Sequence, residues 1–256
     1  MTALTKFQAR NAELIDILDT LTSFDWALKF ASPYMMAADI VDADRTRFQD
    51  SVKMRSKSKT PVFNGLFVMA ITNFELFVKE EIDDSLGRKA VAIKNFAALD
   101  KTFQNNYISS VGKVIAGASS GTVGGIPFTR FDEIVSSFTK SYVGDGALRL
   151  LGDVFTLQMG NPTWDRLTNL FTTLGITDPL GKDLAKTSTM KAYYSNAKQA
   201  NIIKDTKSFH EGALRKRNSI VHSIFPIALQ DDEVREFIKF YDAFAAGINA
   251  VISAHL

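Results

Sequence analysis

The segment Leu214-Arg-Lys-Arg-Asn-Ser-Ile-Val-His-Ser-Ile224 carries side chains suited to chemistry on a phosphodiester. Three basic residues, Arg215, Lys216 and Arg217, lead into Asn218, and His222 follows four residues later. On a helix, Asn218 and His222 stand at i and i+4 and share a face. Ser219 lies at i−3 from His222. Arg217 is five residues before it, about 140° around the helix axis, a gap its long stem can bridge. A neutral histidine titrates near neutrality and can take or give a proton. An arginine fork binds two phosphate oxygens at once. Together these groups suit RNA cleavage without a metal. His222 moves the proton of the ribose 2′-OH or of the departing 5′-oxygen. Arg217 neutralises phosphate charge, and Asn218 and Ser219 orient the reacting groups. Arg215 and Lys216 add attraction to the RNA backbone. One histidine is thin for both the acid and the base role, so a second copy of the chain would help.

Other chemistries find little material. The chain has no cysteine, which removes disulfides, iron–sulfur clusters, thiolate zinc sites and a catalytic thiol. Three histidines leave little for a metal centre, and none stands at ligand spacing from a carboxylate cluster. No metal and no cofactor are therefore expected. Glu80/Glu81 and Asp83/Asp84 are adjacent pairs that point in different directions on a helix. Asp231, Asp232 and Glu233 suit the positive end of a helix dipole. The glycine-rich stretch Gly117–Gly125 lacks the Gly-Lys-Ser/Thr ending of a phosphate loop and reads as a surface loop. Gly117-Ala-Ser-Ser-Gly121 spells Gly-x-Ser-x-Gly, but no strand precedes it, as a nucleophile elbow requires.

The elements that must position the motif are helical. Leu14, Ile17, Leu18, Leu21, Trp26 and Phe30 form one stripe, which Pro33 is expected to end. A polar helix follows over residues 44–58. Thr60-Pro61 then reads as an N-cap opening a central helix through Phe63, Leu66, Phe67, Ala70, Phe74, Phe77 and Val78, with Gly87 as its C-cap. Further helices are expected at roughly 96–116, 129–143, 147–158, 163–174, 188–201, 205–224 and 230–254. Leu214, Val221 and Ile224 are expected to hold the motif helix in the core, so that Val221→Asp would unfold the chain. No alternating run suggests strands.

The fold class expected is thus all-α: a helical bundle with long helices near both ends and additional short helices in a central insert. The 256 residues suit one helical domain over 1–256, with 1–60 an N-terminal extension. Residues 90–185 are open to two readings, an inserted lobe or part of one bundle. The formal charge of +2 leaves any nucleic-acid contact to a local patch. Acidic residues Glu13, Asp16 and Asp19 interrupt any secretory signal, and no long uncharged apolar run occurs. A cytoplasmic chain with no membrane partner is expected.

Arg217-Asn-Ser-Ile-Val-His222, near the end of a helical chain, resembles the Arg-Asn-x-x-x-His signature of the HEPN superfamily, helical bundles found widely as ribonuclease toxins and abortive-infection effectors. Ala70-Ile-Thr-Asn-Phe-Glu75-Leu-Phe-Val-Lys79 resembles their central helix, which in many members carries an acidic residue near its middle. Gly160-Asn-Pro-Thr-Trp164, followed by Leu167, Leu170 and Gly175, resembles the region before the motif helix in the RiboL-PSP-type branch. The similarity covers about residues 60–250. It implies Arg217 and His222 as the catalytic pair and Asn218 as their polar helper, with Ser219 and Glu75 in support. Glu75 stays open to a plain reading, as a structural acid pairing with Arg217 or a solvated one. The resemblance further implies a homodimer with a composite site, RNA as substrate, an antitoxin or regulatory protein as partner, and products ending in a 2′,3′-cyclic phosphate. Two other readings remain open at this stage. One is a non-catalytic HEPN protein that binds RNA or scaffolds a partner. The other is an unrelated helical interaction protein, in which Arg217 points to solvent away from His222.

Overall fold

The helical backbone runs on briefly past Pro33 and for many turns past Pro61. In the computed structural model, which describes residues 1–35, 41–120, 128–157, 159–222 and 227–255, α1 spans Ala3–Met35 with Pro33 in its last turn. The helix α2 spans Asp42–Ile93 without interruption, with Pro61 inside it. No side chain is described at 54–58, 118–120, 128 and 129. An internal proline removes one backbone hydrogen bond and costs about 3 kcal/mol. Contacts on both sides of Pro61 hold the helix in line. Lys59 pairs with Asp25 at 2.9 Å on one side, and the buried Phe63, Leu66 and Phe67 begin on the other. The break expected at Thr60-Pro61 is therefore absent. Gly87 is not a cap either: α2 ends at Lys94, whose φ of 63° is left-handed and whose N–H returns to the Ala90 carbonyl.

The helices α1 and α2 pack antiparallel. Arg10 forms an ion pair with Glu80 at 3.1 Å, and Asp84 accepts from the Ala3 amide. The long C-terminal helix α10 (Asp231–His255) lies against both. The buried Asn11 links all three, donating to Asp242 at 2.8 Å and accepting from Asn73 at 3.3 Å. The motif helix α9 (Gln199–His222) completes the central packing. Its Phe209 sits 4.9 Å from Phe237 and 4.4 Å from Phe240, ring to ring. At the middle of this arrangement, Phe74 lies 4.8 Å from Tyr241, 5.1 Å from Phe244 and 5.6 Å from His210.

The central region contributes α3 (Lys101–Ser120), α4 (Phe128–Val143), α5 (Asp153–Thr156), α6 (Trp164–Thr173), α7 (Lys182–Lys186) and α8 (Ser188–Tyr193). A 3-10 turn over Phe96–Ala98 precedes α3. The expected helix at 147–158 shrinks to α5, and that at 188–201 splits between α8 and the start of α9. The glycine-rich loop expected at 117–125 begins later, since α3 runs on to Ser120; residues 121–127 lie outside the described ones. Gly152 brings this region onto α2: its amide donates to Asp83 at 2.8 Å, and a Cβ there would meet the Asp83 backbone at 2.9 Å. Tyr107 is buried with its hydroxyl accepting from the Leu151 amide, and burial pushes the phenol up to about 12. Its side chains join the same buried cluster as those of α1, α2, α9 and α10. Every described element is helical or irregular, and the fold is an all-α bundle with long helices near both ends.

Two segments, Lys59–Ile93 and Asp231–His255, are apolar and long enough to cross a bilayer by length and composition. About half of each apolar window is buried inside the bundle, where Phe67, Phe74, Phe237 and Phe244 pack together. The core helix of a bundle passes the same test of length and composition.

Removing the central ring should be costly. Phe74→Ala is expected to lower the unfolding free energy by about 3–5 kcal/mol, read from urea denaturation followed by circular dichroism. A loss under about 1 kcal/mol would show that α2, α9 and α10 do not depend on this contact.

Candidate functional site

The motif helix is anchored along one stripe and free at its end. Ile202, Thr206, His210, Ala213 and Leu214 are buried, a three-and-four spacing that faces α2 and α10. Beyond Leu214 no residue of the helix is fully buried, and Arg215, Asn218, Val221 and His222 are exposed. Val221 is 51% exposed, contrary to the core position expected from spacing. The physical reason is that packing on α10 reaches only as far as Lys216, which pairs with Glu233 and lies over Phe237, while Ile220 meets the middle of α2. There Ile220 lines a shallow apolar depression of about 460 Å³ with Pro61, Gly65, Val68 and Met69. An aspartate at 221 would stand in water. Ile224 lies outside the described residues.

The loop before α6 clasps this helix at three points. The Nε2–H of His210 donates to the Pro162 carbonyl, the Trp164 amide donates to Glu211 at 2.8 Å, and Nη1 of Arg217 donates to Asn161 Oδ1 at 3.0 Å. Arg166 stiffens the loop from below, donating to the carbonyls of Met159 at 3.0 Å and Asn161 at 3.3 Å. Thr163 caps α6 by accepting from the Arg166 amide. His210 is neutral in this setting: Nε2 carries the proton, and Nδ1 accepts from the Tyr241 hydroxyl at 3.3 Å. Burial holds its imidazole below the ordinary value, against the opposing pull of the Pro162 carbonyl and Glu211.

Arg217 is half-buried and points toward the loop. Its Nη1 also approaches Asn218 Oδ1 at 3.5 Å, while its Nε is buried and has no hydrogen bond. Glu75, half-buried on α2, has one carboxylate oxygen in the same condition. Burial raises the Glu75 carboxyl, and the Arg217 and Lys79 cations oppose that rise. Glu75 and Arg217 thus feel each other's charge without a direct ion pair. Neither plain reading of Glu75 holds as stated, since the acid is neither freely solvated nor directly bridged.

Similarity to known proteins gives no further guidance. No family model, curated protein or solved structure matches the chain.

The remaining motif residues divide. Among the described residues, the His222 ring makes no hydrogen bond or ion pair and stands open to solvent, as does Arg215. Ser219 is half-buried beside them. Lys216 is engaged elsewhere: its ammonium pairs with Glu233 at 3.0 Å and sits 5.1 Å over the Phe237 ring. That contact, with the Gln230 amide, holds the Glu233 carboxyl below its usual range. The charge available to an anion is therefore that of Arg215 and Arg217, with Lys216 largely balanced. Among the described residues no group of three or more histidine and acidic side chains is placed to hold a metal ion.

Two residues of this site escape sequence reasoning. Asn161 entered only within the Gly160–Trp164 segment, with no role of its own, and His210 only in the count of three histidines. Position 210 does fall on the Ile202–Thr206–Ala213 stripe, which marks it as a core residue. Its partners, Pro162 and Tyr241, are tertiary and leave no local signal.

Two outcomes follow. The folded chain resists protonating His210, so it binds fewer protons there than the unfolded chain once pH falls below about 6.5. Stability from this group is full above that pH and is lost as pH drops. The thermal midpoint of His210→Phe should therefore lie below wild type at pH 7.5 and approach it at lower pH. A gap independent of pH would mean that His210 is not held neutral. Arg217→Ala removes the cation that most opposes the rise of Glu75, so carboxyl NMR should show Glu75 titrating higher than in wild type; an unchanged titration would separate the two groups electrostatically.

Proposed function

We propose that this chain is a metal-independent endoribonuclease of the HEPN type, acting as a toxin or an anti-phage abortive-infection effector. The observation that carries this reading is the free end of α9. There a half-buried, anchored Arg217, an exposed Asn218 and an exposed His222 stand within two turns, next to the half-buried Glu75 carboxyl. Arg217 is held by one nitrogen to Asn161, and its remaining donors can take phosphate oxygens. His222 is exposed to substrate and carries out the proton transfers. As base it takes the 2′-OH proton while that oxygen attacks phosphorus. The bond from phosphorus to the 5′-oxygen breaks, and a general acid returns a proton to that oxygen. The products are a 2′,3′-cyclic phosphate and a free 5′-hydroxyl. Asn218 and Ser219 orient these groups, and Arg215 draws in the RNA backbone. Lys216 contributes mainly to the fold. A second copy in a homodimer would bring a second His222 to serve as the acid. An antitoxin or regulatory protein that covers this helix end fits the same reading.

A second reading is a non-catalytic HEPN protein that binds RNA or scaffolds a partner. The observation favouring it is the prior engagement of Arg217 with Asn161 and of Lys216 with Glu233.

Growth of a host expressing wild type beside His222→Ala and Arg217→Ala decides between them. The nuclease reading expects wild-type toxicity that each variant relieves, and 2′,3′-cyclic phosphate ends on host RNA. With purified protein in EDTA, each variant should lose about 10²–10⁴-fold in cleavage rate. Wild type that binds RNA and leaves it intact under the same conditions would favour the second reading.

A further inference from the structure

Helices α3 and α6 are tied together where Asn106 donates to the Thr173 carbonyl at 2.8 Å. Beside that bond lies a cavity of about 210 Å³. Arg166, Leu170 and Thr173 line it from α6, at the spacing of one helix face, and Ser110 and Lys113 line it from α3. Its apolar lining is completed by Phe155 of α5 and by Met159. Ser110 is only 8% exposed, and its hydroxyl makes no hydrogen bond among the described residues. A hydroxyl inside a helix commonly turns back to the carbonyl four residues before it, as those of Thr168 and Thr173 do on α6. The Ser110 hydroxyl does not, and a buried donor left without a partner is costly.

The cavity also carries unbalanced positive charge. Among the described residues Lys113 and Arg166 form no ion pair, and no aspartate or glutamate lines the space. Arg166 is held ready. Its Nη1 donates to the carbonyls of Met159 at 3.0 Å and Asn161 at 3.3 Å. The guanidinium also lies against Gly160, whose φ is +56° and where a Cβ would come within 2.6 Å of Nη1. The Nε and Nη2 donors remain, and together they form an edge that a carboxylate can bridge. Size narrows the ligand further. A cavity of ~150 Å³ takes a benzene ring, so this one takes a ring with one small substituent. It falls short of the roughly 300–1,000 Å³ of pockets for larger ligands, which rules out a whole nucleotide.

We propose that this cavity binds a small organic acid, a single six-membered ring bearing one carboxylate. The carboxylate bridges Nε and Nη2 of Arg166 with the Lys113 ammonium beside it. The ring packs on Phe155, Met159 and Leu170, and the Ser110 hydroxyl donates to the ligand. The inference stands independently of the ribonuclease reading. Arg166 serves both this cavity and the loop that holds Arg217.

Benzoate is the probe, titrated into the full chain and followed by saturation-transfer NMR at fixed ionic strength. Binding should saturate at about millimolar strength, the range open to so small a ligand. Benzyl alcohol keeps the ring and loses the charge, and should bind about tenfold more weakly. Lys113→Gln, at an exposed position, should weaken benzoate about two- to fivefold with an unchanged thermal midpoint. Ser110→Leu fills the cavity and should abolish binding, with helicity checked by circular dichroism; if that variant fails to fold, Lys113→Gln and the benzyl alcohol comparison decide. Absence of saturable benzoate binding overturns the proposal. Equal binding of benzoate and benzyl alcohol overturns it in favour of a plain apolar cavity. Inorganic phosphate that displaces benzoate at equal strength overturns it in favour of a bare anion site. Benzoate binding unchanged in Lys113→Gln and in folded Ser110→Leu places the ligand elsewhere and overturns it as well.

Discussion

The positions of Glu75, Arg217 and Asn161 depend on the packing around Phe74. Its ring touches Tyr241 and Phe244 of α10 and His210 of α9, and Trp164 stacks on the far side of Phe244. Aromatic pairs of this kind are worth about 0.5–1.5 kcal/mol each beyond the area they bury. Their orientation also fixes the angle between three long helices. The next residue after Phe74 is Glu75. The helix that carries His210 carries Arg217 two turns later, and the loop that ends at Trp164 carries Asn161. One hydrophobic contact therefore brings a carboxyl, a guanidinium and an amide from three distant parts of the chain to one edge.

His210 and His222 show how one helix separates structure from surface chemistry. His210 is buried, neutral and bonded at both ring nitrogens. Its role is to lock the Pro162 loop onto α9. Twelve residues on, His222 is exposed in the last turn of the same helix. Between them, Arg217 is held by the loop that His210 positions. A reactive group on a rigid element needs support from residues packed behind it, and here the support is the His210–Pro162–Asn161–Arg217 chain. The arrangement is rigid up to Arg217 and open beyond it, which suits the binding of a bulky polymer better than that of an enclosed small molecule.

The sequence was legible where a single period dominated. The all-α class, α4, α6, α10 and the central apolar helix follow directly from three-and-four spacing. Pro61 was misread because local propensity was weighed without tertiary support: it sits inside a helix that packing on either side sustains, whereas α1 does end within a turn of Pro33. The helix expected at 147–158 failed for a related reason. Leu148, Leu150 and Leu151 are buried, yet they pack from an irregular segment that Ser141, Tyr107 and Asp83 hold by its backbone. Val221 was misplaced because a stripe says which side of a helix is apolar and not where the neighbouring helix stops. The motif itself was legible as Arg217, Asn218 and His222. Asn161 was not, because its link to Arg217 spans 56 positions.

Charge sets a further limit on how such a site can work. With Lys216 bound to Glu233, the helix end offers Arg215 and Arg217 as its main cations. A protein that neutralises two phosphates gains little nonspecific affinity for RNA, and that affinity falls only modestly with salt, because few counterions are released. The near-neutral chain adds no long-range field. On the ribonuclease reading, recognition must then come from shape and from the fixed spacing of Arg217 and His222 against unpaired nucleotides, not from bulk electrostatic attraction. It also follows that joining two copies matters more here than in a strongly basic nuclease. Pairing doubles the phosphate contacts and supplies the second imidazole at once.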